Sequence, residues 1–115
     1  MTVNKEKISD EEKGKAFKTE IRVEGSRLIC ELAGRLDTIT APELLASFND
    51  NRTDDIKEIT VDMAETEYIS SAGLRVLLSM RKTLSGVEYF HIINYSDSIK
   101  EILKVTGFDQ LFGMA

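Results

Sequence analysis

The chain switches repeatedly between two hydrophobic periods, and the order of those switches leaves few folds open. Phe17, Thr19, Ile21 and Val23 fall on one side of a run in which Lys18, Glu20 and Arg22 take the other. A period of two with one charged side marks a strand with one wet face. Glu24-Gly25-Ser26 reads as a tight turn. A second alternating run follows, with Leu28, Cys30 and Leu32 on one side and Ile29, Glu31 and Ala33 on the other. The two runs predict an antiparallel hairpin.

After that hairpin, every strand pattern is preceded by a helical one. Gly34-Arg35-Leu36-Asp37 ends the second strand, and Thr40-Ala41-Pro42-Glu43 opens a helix. Thr40 suits the N-cap, Pro42 suits the first turn, and the Thr40–Glu43 spacing is that of a capping box. Leu44, Leu45 and Phe48 form its apolar side, and Asn49-Asp50-Asn51 ends it. Ile59, Val61 and Met63 alternate with Thr60 and Asp62 as a third strand. A long helical pattern runs from Leu74 to Leu84 and stops at Ser85-Gly86. Residues 87–94 predict a fourth strand. Ser96-Asp97-Ser98 caps a third helix carrying Ile99, Ile102 and Leu103, with Gly107 at its C′ position and Phe108 behind it. Leu111 and Phe112 fit one last turn.

The resulting order is β-β-α-β-α-β-α. Strands that return through helices are parallel, with right-handed crossovers. The wet face of the first strand leaves the helices mainly on one face. The expectation is an α/β fold on a small mixed four-stranded sheet.

Residues 1–14 form a separate zone, in which Val3 and Ile8 are the sizeable apolar residues after Met1 among seven charged ones. Such a segment buries too little to offset its ordering entropy. It reads as a flexible tail, or as a frayed helix opened by Ser9, before a single domain over residues 15–115. No apolar core of a signal peptide is present at the N-terminus, and no apolar run approaches the roughly 20 residues of a membrane helix. The expected compartment is the cytoplasm.

Composition excludes whole classes of function. The formal net charge of −5 disfavours binding to nucleic acid, which needs excess cations at phosphates. A single cysteine, Cys30, allows neither an internal disulfide nor a cysteine metal cluster, and a single histidine, His91, allows no two-histidine metal site. His91 lies inside an alternating strand, where a structural or exposed role outweighs a proton relay. Neither common phosphate-loop motif is present. Cys30 shares a side with Leu28 and Leu32 and reads as a small core residue.

One segment could carry a function: Tyr68-Ile69-Ser70-Ser71-Ala72-Gly73-Leu74. Ser70 or Ser71 falls at a helix N-cap, and Ala72 and Gly73 leave that helix end uncovered. Free N–H groups and the dipole there favour an anion. A phosphoryl group on such a serine adds about −1.5 to −2 charges without disfavouring the helix. An ordinary serine cap is the plainer reading. In the helix that follows, Leu74, Val76, Leu77, Leu78, Met80 and Leu84 span over half the circumference at about 100° per residue. Either another helix packs alongside, or part of that surface meets a partner.

Taken together, these segments resemble the STAS domain family, and within it the single-domain bacterial anti-sigma factor antagonists. Gly34-Arg35-Leu36-Asp37 with Thr40-Ala41 is similar to the family's Gly-x-Leu-Asp segment, and Ile59-Thr60-Val61-Asp62-Met63 to its central strand. Tyr68 to Leu74 is similar to its phosphoserine loop, and Ile99 to Phe112 to its C-terminal helical region. The resemblance covers about residues 15–115 and implies a STAS-like fold and a regulator rather than an enzyme. Its implied partners are an anti-sigma factor that is also a serine kinase with a GHKL-type ATPase fold, and a PPM-type serine phosphatase. ATP belongs to the kinase, so no cofactor is assigned to this chain.

By the same resemblance the phosphoacceptor is Ser71, with Ser70 as the lesser alternative. The partner-binding set is Asp37, Thr40, Ser70, Ser71, Ala72, Gly73, Leu74 and Arg75. Many members carry Asp immediately before the acceptor, where this chain has Ser70. Other readings are a STAS interaction module in another partner-switching, stress-sensing or lipid-transport complex, and a small nucleotide-binding domain. A hydrolytic enzyme is the remotest of them, since His91 has no evident relay.

Overall fold

Alternation along the first two strands produces the hairpin that starts the sheet. Strand β1 spans Lys18–Glu24 and β2 spans Arg27–Leu36. They pair antiparallel, with Ile21 opposite Cys30. Helix α1 (Ala41–Asn51) leads to β3 (Glu58–Ile69), and helix α2 (Ser71–Thr83) leads towards β4 (Tyr89–Ile93). Both returns are parallel, so β2 pairs with β3 and β3 with β4. The sheet order is β1-β2-β3-β4. Helix α3 (Asp97–Val105) and the short α4 (Phe108–Leu111) close the chain. This computed structural model describes residues 16–83 and 89–112. The expected tail (1–14), the end of the long helix (Leu84 with Ser85-Gly86) and the start of the fourth strand (87–88) lie outside the described residues.

The sheet is α/β and mixed, as the order of periods predicts. Its inner face is apolar: Leu28, Cys30 and Leu32 on β2, Ile59, Val61 and Met63 on β3, and Phe90 and Ile92 on β4 are buried. The helices supply Leu44, Phe48, Leu74, Leu77, Met80, Ile99 and Leu103 to the same core. The outer face is polar and wet. Arg22 pairs with Glu24 and Glu31 at 3.1 and 3.2 Å, Arg27 with Glu58 at 3.7 Å, and His91 Nε2 lies 3.5 Å from Glu58 Oε2. His91 also stacks on Tyr89, at 5.9 Å between ring centroids. It is therefore an exposed strand residue engaged with its neighbours across and along the sheet.

Strand β3 runs six residues past the expected end, from Met63 to Ile69. Its polar stretch Ala64-Glu65-Thr66-Glu67 breaks the alternation because the pairing with β2 shifts register at Glu31/Ala33 and again at Gly34/Arg35. The shift turns Thr66 inward, where it is buried and donates its hydroxyl to the Leu32 carbonyl at 3.0 Å. A buried hydroxyl needs such a partner.

The C-terminal signals hold. Ser96 caps α3 by accepting the Ile99 amide at 3.2 Å. Gly107, at φ 79°, takes the left-handed conformation that lets the chain leave α3 and start α4. Phe112 is buried and stacks on Phe90 at 5.2 Å, tying the chain end to the sheet edge. Arg81 Nη1 donates to the Leu111 carbonyl, joining α2 to α4.

Candidate functional site

The carboxyl ends of β2 and β3 lie side by side, with Arg35 opposite Tyr68 and Leu36 opposite Ile69. This pairing brings two sequence-distant segments together. The Ser70 amide donates to the Leu36 carbonyl at 2.8 Å, so the serine loop starts from the end of β2. Gly73 then packs on the same residue: a β-carbon there would lie 2.7 Å from Leu36 Cγ and 2.9 Å from its carbonyl oxygen. Only glycine allows that approach.

On the β2 side the chain turns tightly. Asp37 Oδ1 accepts the amides of Ile39 (3.0 Å) and Thr40 (3.1 Å). These bonds hold its carboxyl below the usual carboxylate range; the Thr40 amide contributes most, and Arg35 adds attraction at 3.9 Å. The Thr40 hydroxyl accepts the Asp37 amide at 2.8 Å and donates to the Arg35 carbonyl at 2.7 Å. Thr40 does sit at the N-cap of α1, but its side chain makes no cap bond, so the expected Thr40–Glu43 capping box does not form. The hydroxyl is committed to the strand end, and Thr40 itself has helical dihedrals (φ −91°, ψ −19°). Beside this turn, the Arg35 guanidinium carbon lies 4.4 Å from the Tyr68 ring centroid, a cation–π contact.

On the β3 side the two serines have different surroundings. Helix α2 begins at Ser71. Ser70 is its cap: the Gly73 amide donates to Ser70 Oγ at 3.3 Å, and the Leu74 amide to the Ser70 carbonyl at 3.0 Å. The choice left open between the two serines thus resolves to Ser70 as the cap. Ser71 is the first helical residue and is exposed, and its hydroxyl has no partner among the described residues. The first turn of α2 carries no acidic residue, although the dipole would favour one. Aspartate and serine are comparable N-caps. Ser70 therefore keeps the bond that an aspartate at this position would make, without its charge.

Of the other residues named from the sequence, Ala72 is half-buried and Arg75 exposed, whereas Gly73 and Leu74 are buried and face the core. Asp37, Thr40, Ser70, Ser71, Ala72 and Arg75 remain as surface around the loop. Ile39, between Asp37 and Thr40, is an apolar residue left 79% exposed beside this turn.

The STAS domain family model matches residues 18–115. The chain belongs to the STAS domain family. As a STAS domain it is 29% identical over 82 residues to the anti-sigma-B factor antagonist of Staphylococcus aureus, covering 70% of this chain and 76% of that one. Among solved structures, an anti-sigma factor antagonist from Mycobacterium paratuberculosis superposes with a TM-score of 0.73 at 21% identity, over 84% of this chain and 83% of that one. The antagonist SpoIIAA in its unphosphorylated form superposes with a TM-score of 0.59 at 18% identity, over 77% and 82%. These structural likenesses establish the fold. No helix among the described residues is long and apolar enough to cross a membrane.

Proposed function

We propose that this STAS domain is an anti-sigma factor antagonist, a regulator that acts by binding. Its partner is an anti-sigma factor serine kinase of GHKL-type ATPase fold in the cytoplasm, and binding frees the sigma factor. The kinase ends the interaction by phosphorylating Ser71, and a PPM-type phosphatase restores it. The contact surface is the loop around Ser71 with Asp37 and Thr40 beside it. The observation that carries this reading is the division of labour between the serines. Ser70 spends its hydroxyl on the helix cap, while Ser71 presents an exposed hydroxyl. The names of the relatives support it, and SpoIIAA itself has been solved in a phosphorylated form.

Before modification, small side chains let a partner approach the loop closely. Phosphate on Ser71 adds bulk and about −1.5 to −2 charges that the partner must desolvate or repel. A cost of about 3 kcal/mol weakens binding more than a hundredfold. The same charge suits the N-terminus of α2, so the fold survives the modification. The test is capture of each anti-sigma factor of the source organism, loaded with ADP, followed by phosphosite mapping after ATP is added. One of them should bind wild type and not Ser71→Asp, and phosphate should map to Ser71. Equal binding of both proteins, or phosphate on Ser70 alone, would overturn the assignment.

A further inference from the structure

Helix α2 has two faces of opposite character. Gly73, Leu77 and Met80 point into the core. At about 100° per residue, Ser71, Arg75, Leu78 and Lys82 fall on the opposite side, within a narrow stripe. Ser71, Arg75 and Lys82 are exposed and Leu78 is half-buried. With Ser79 and Thr83, the last three line a shallow groove. Arg75 and Lys82 form no ion pair among the described residues. The third cation of the helix, Arg81, points elsewhere and holds Leu111.

The charge of this helix runs against that of the chain. Ser71–Thr83 contains three cations and no carboxylate. The chain as a whole carries −5, so the remainder carries −8 (−5 less +3). The remainder of the chain, net acidic, disfavours an acidic partner on average, whereas this stripe favours one, which biases where such a partner docks. A long polyanion fits poorly, because the chain carries −5 overall and cannot match anionic charge along its length.

We propose that the Arg75–Leu78–Lys82 stripe of α2 is the docking surface for an acidic patch on the anti-sigma factor, with Leu78 as the apolar contact between the two cations. This rests on the role proposed above and adds the chemistry of the partner. It also explains how one phosphate can end the interaction. Ser71 and Arg75 are one helical turn apart, an anion four residues before a cation. A phosphate on Ser71 draws the Arg75 guanidinium to itself and opposes the partner's acids at the head of the stripe.

The experiment measures binding of wild type, Arg75→Glu, Lys82→Glu and Lys57→Glu to each anti-sigma factor of the source organism, purified and loaded with ADP, at several salt concentrations. Lys57 precedes β3, at the end of that strand away from the serine loop, and controls for net charge. Thermal melts confirm folding of each variant. The expected result is at least tenfold weaker binding for Arg75→Glu and Lys82→Glu, unchanged binding for Lys57→Glu, and a shallower salt dependence for the two weakened variants. Wild-type binding that neither stripe variant alters overturns the docking surface and leaves the proposed role standing. Equal weakening by Lys57→Glu also overturns the surface. Failure of wild type to bind any of the anti-sigma factors overturns both. Retardation of duplex DNA by wild type, lost in Arg75→Glu, would assign the stripe to nucleic acid and overturn the proposal.

Discussion

Gly73 of α2 rests directly on Leu36 of β2, so closely that a β-carbon would stand 2.9 Å from the Leu36 carbonyl oxygen. That same carbonyl accepts the Ser70 amide at 2.8 Å. The serine loop is thus held at two points by one residue of a strand far away in sequence.

Replacing Gly73 by alanine sets two effects against each other. Alanine favours a helix by about 1 kcal/mol over glycine. Overpacking a filled site costs about 1–3 kcal/mol, and here the obstacle includes backbone that cannot rotate away. The clash wins. Gly73→Ala should lose up to about 2 kcal/mol in urea titration.

The two serines should separate by stability. Ser70→Ala removes a helix cap and should cost about 1 kcal/mol. Ser71→Ala removes an exposed hydroxyl without a partner among the described residues and should stay within about 0.5 kcal/mol of wild type. Thermal melts of the two variants measure the difference. A larger loss at Ser71 than at Ser70 would contradict the cap assignment.

Asp37 should contribute stability that depends on pH in a defined direction. Its folded carboxyl ionises below the ordinary range because two amides donate to it, the Thr40 amide above all. The contribution is complete above the ordinary aspartate value of about 3.9 and fades as pH falls through the lower folded value. Asp37→Ala should cost about 1 kcal/mol at neutral pH. The gap to wild type should close in acid, as read by urea titration at several pH values.

Cys30 should behave as a sealed thiol. Burial pushes it up to about 11, from an ordinary value near 9. It should resist thiol reagents at pH 8 until the protein unfolds. Below pH 9 the thiol is protonated whether the chain is folded or not. Between about 9 and 11 the unfolded thiol ionises first, which removes about 3 kcal/mol of stability across that window. Cys30→Ala should flatten this part of the alkaline stability curve.

Element order and face assignment were legible because they follow from local periodicity. Leu28, Cys30 and Leu32 announce their face, as do Ile59, Val61 and Met63. The surface character of α2 at Val76 and Leu78 was legible only as an excess of apolar residues. In the fold α1 lies alongside α2, and both residues pack in part against the core while the rest of each stays exposed. The far half of β3 was hidden, because its polar run is held by register shifts against β2, a long-range property. The capping box failed for a related reason. The Thr40 hydroxyl met the Arg35 carbonyl, an acceptor that exists only after β2 ends where it does. The serine loop could be found as a segment, yet the roles of Ser70 and Ser71 depend on which hydroxyl meets an amide.

The two-sided character of α2 separates two kinds of evolutionary change. Residues that secure the domain, such as Leu77 and Met80, lie on one side, and the exposed Arg75 and Lys82 of the proposed docking stripe lie on the other. Substitutions at Arg75 or Lys82 touch no core contact and should cost little stability. After a gene duplication, such a helix can change its preferred partner while the domain beneath stays intact. Sibling copies in one cell can then be insulated from one another by a few surface charges.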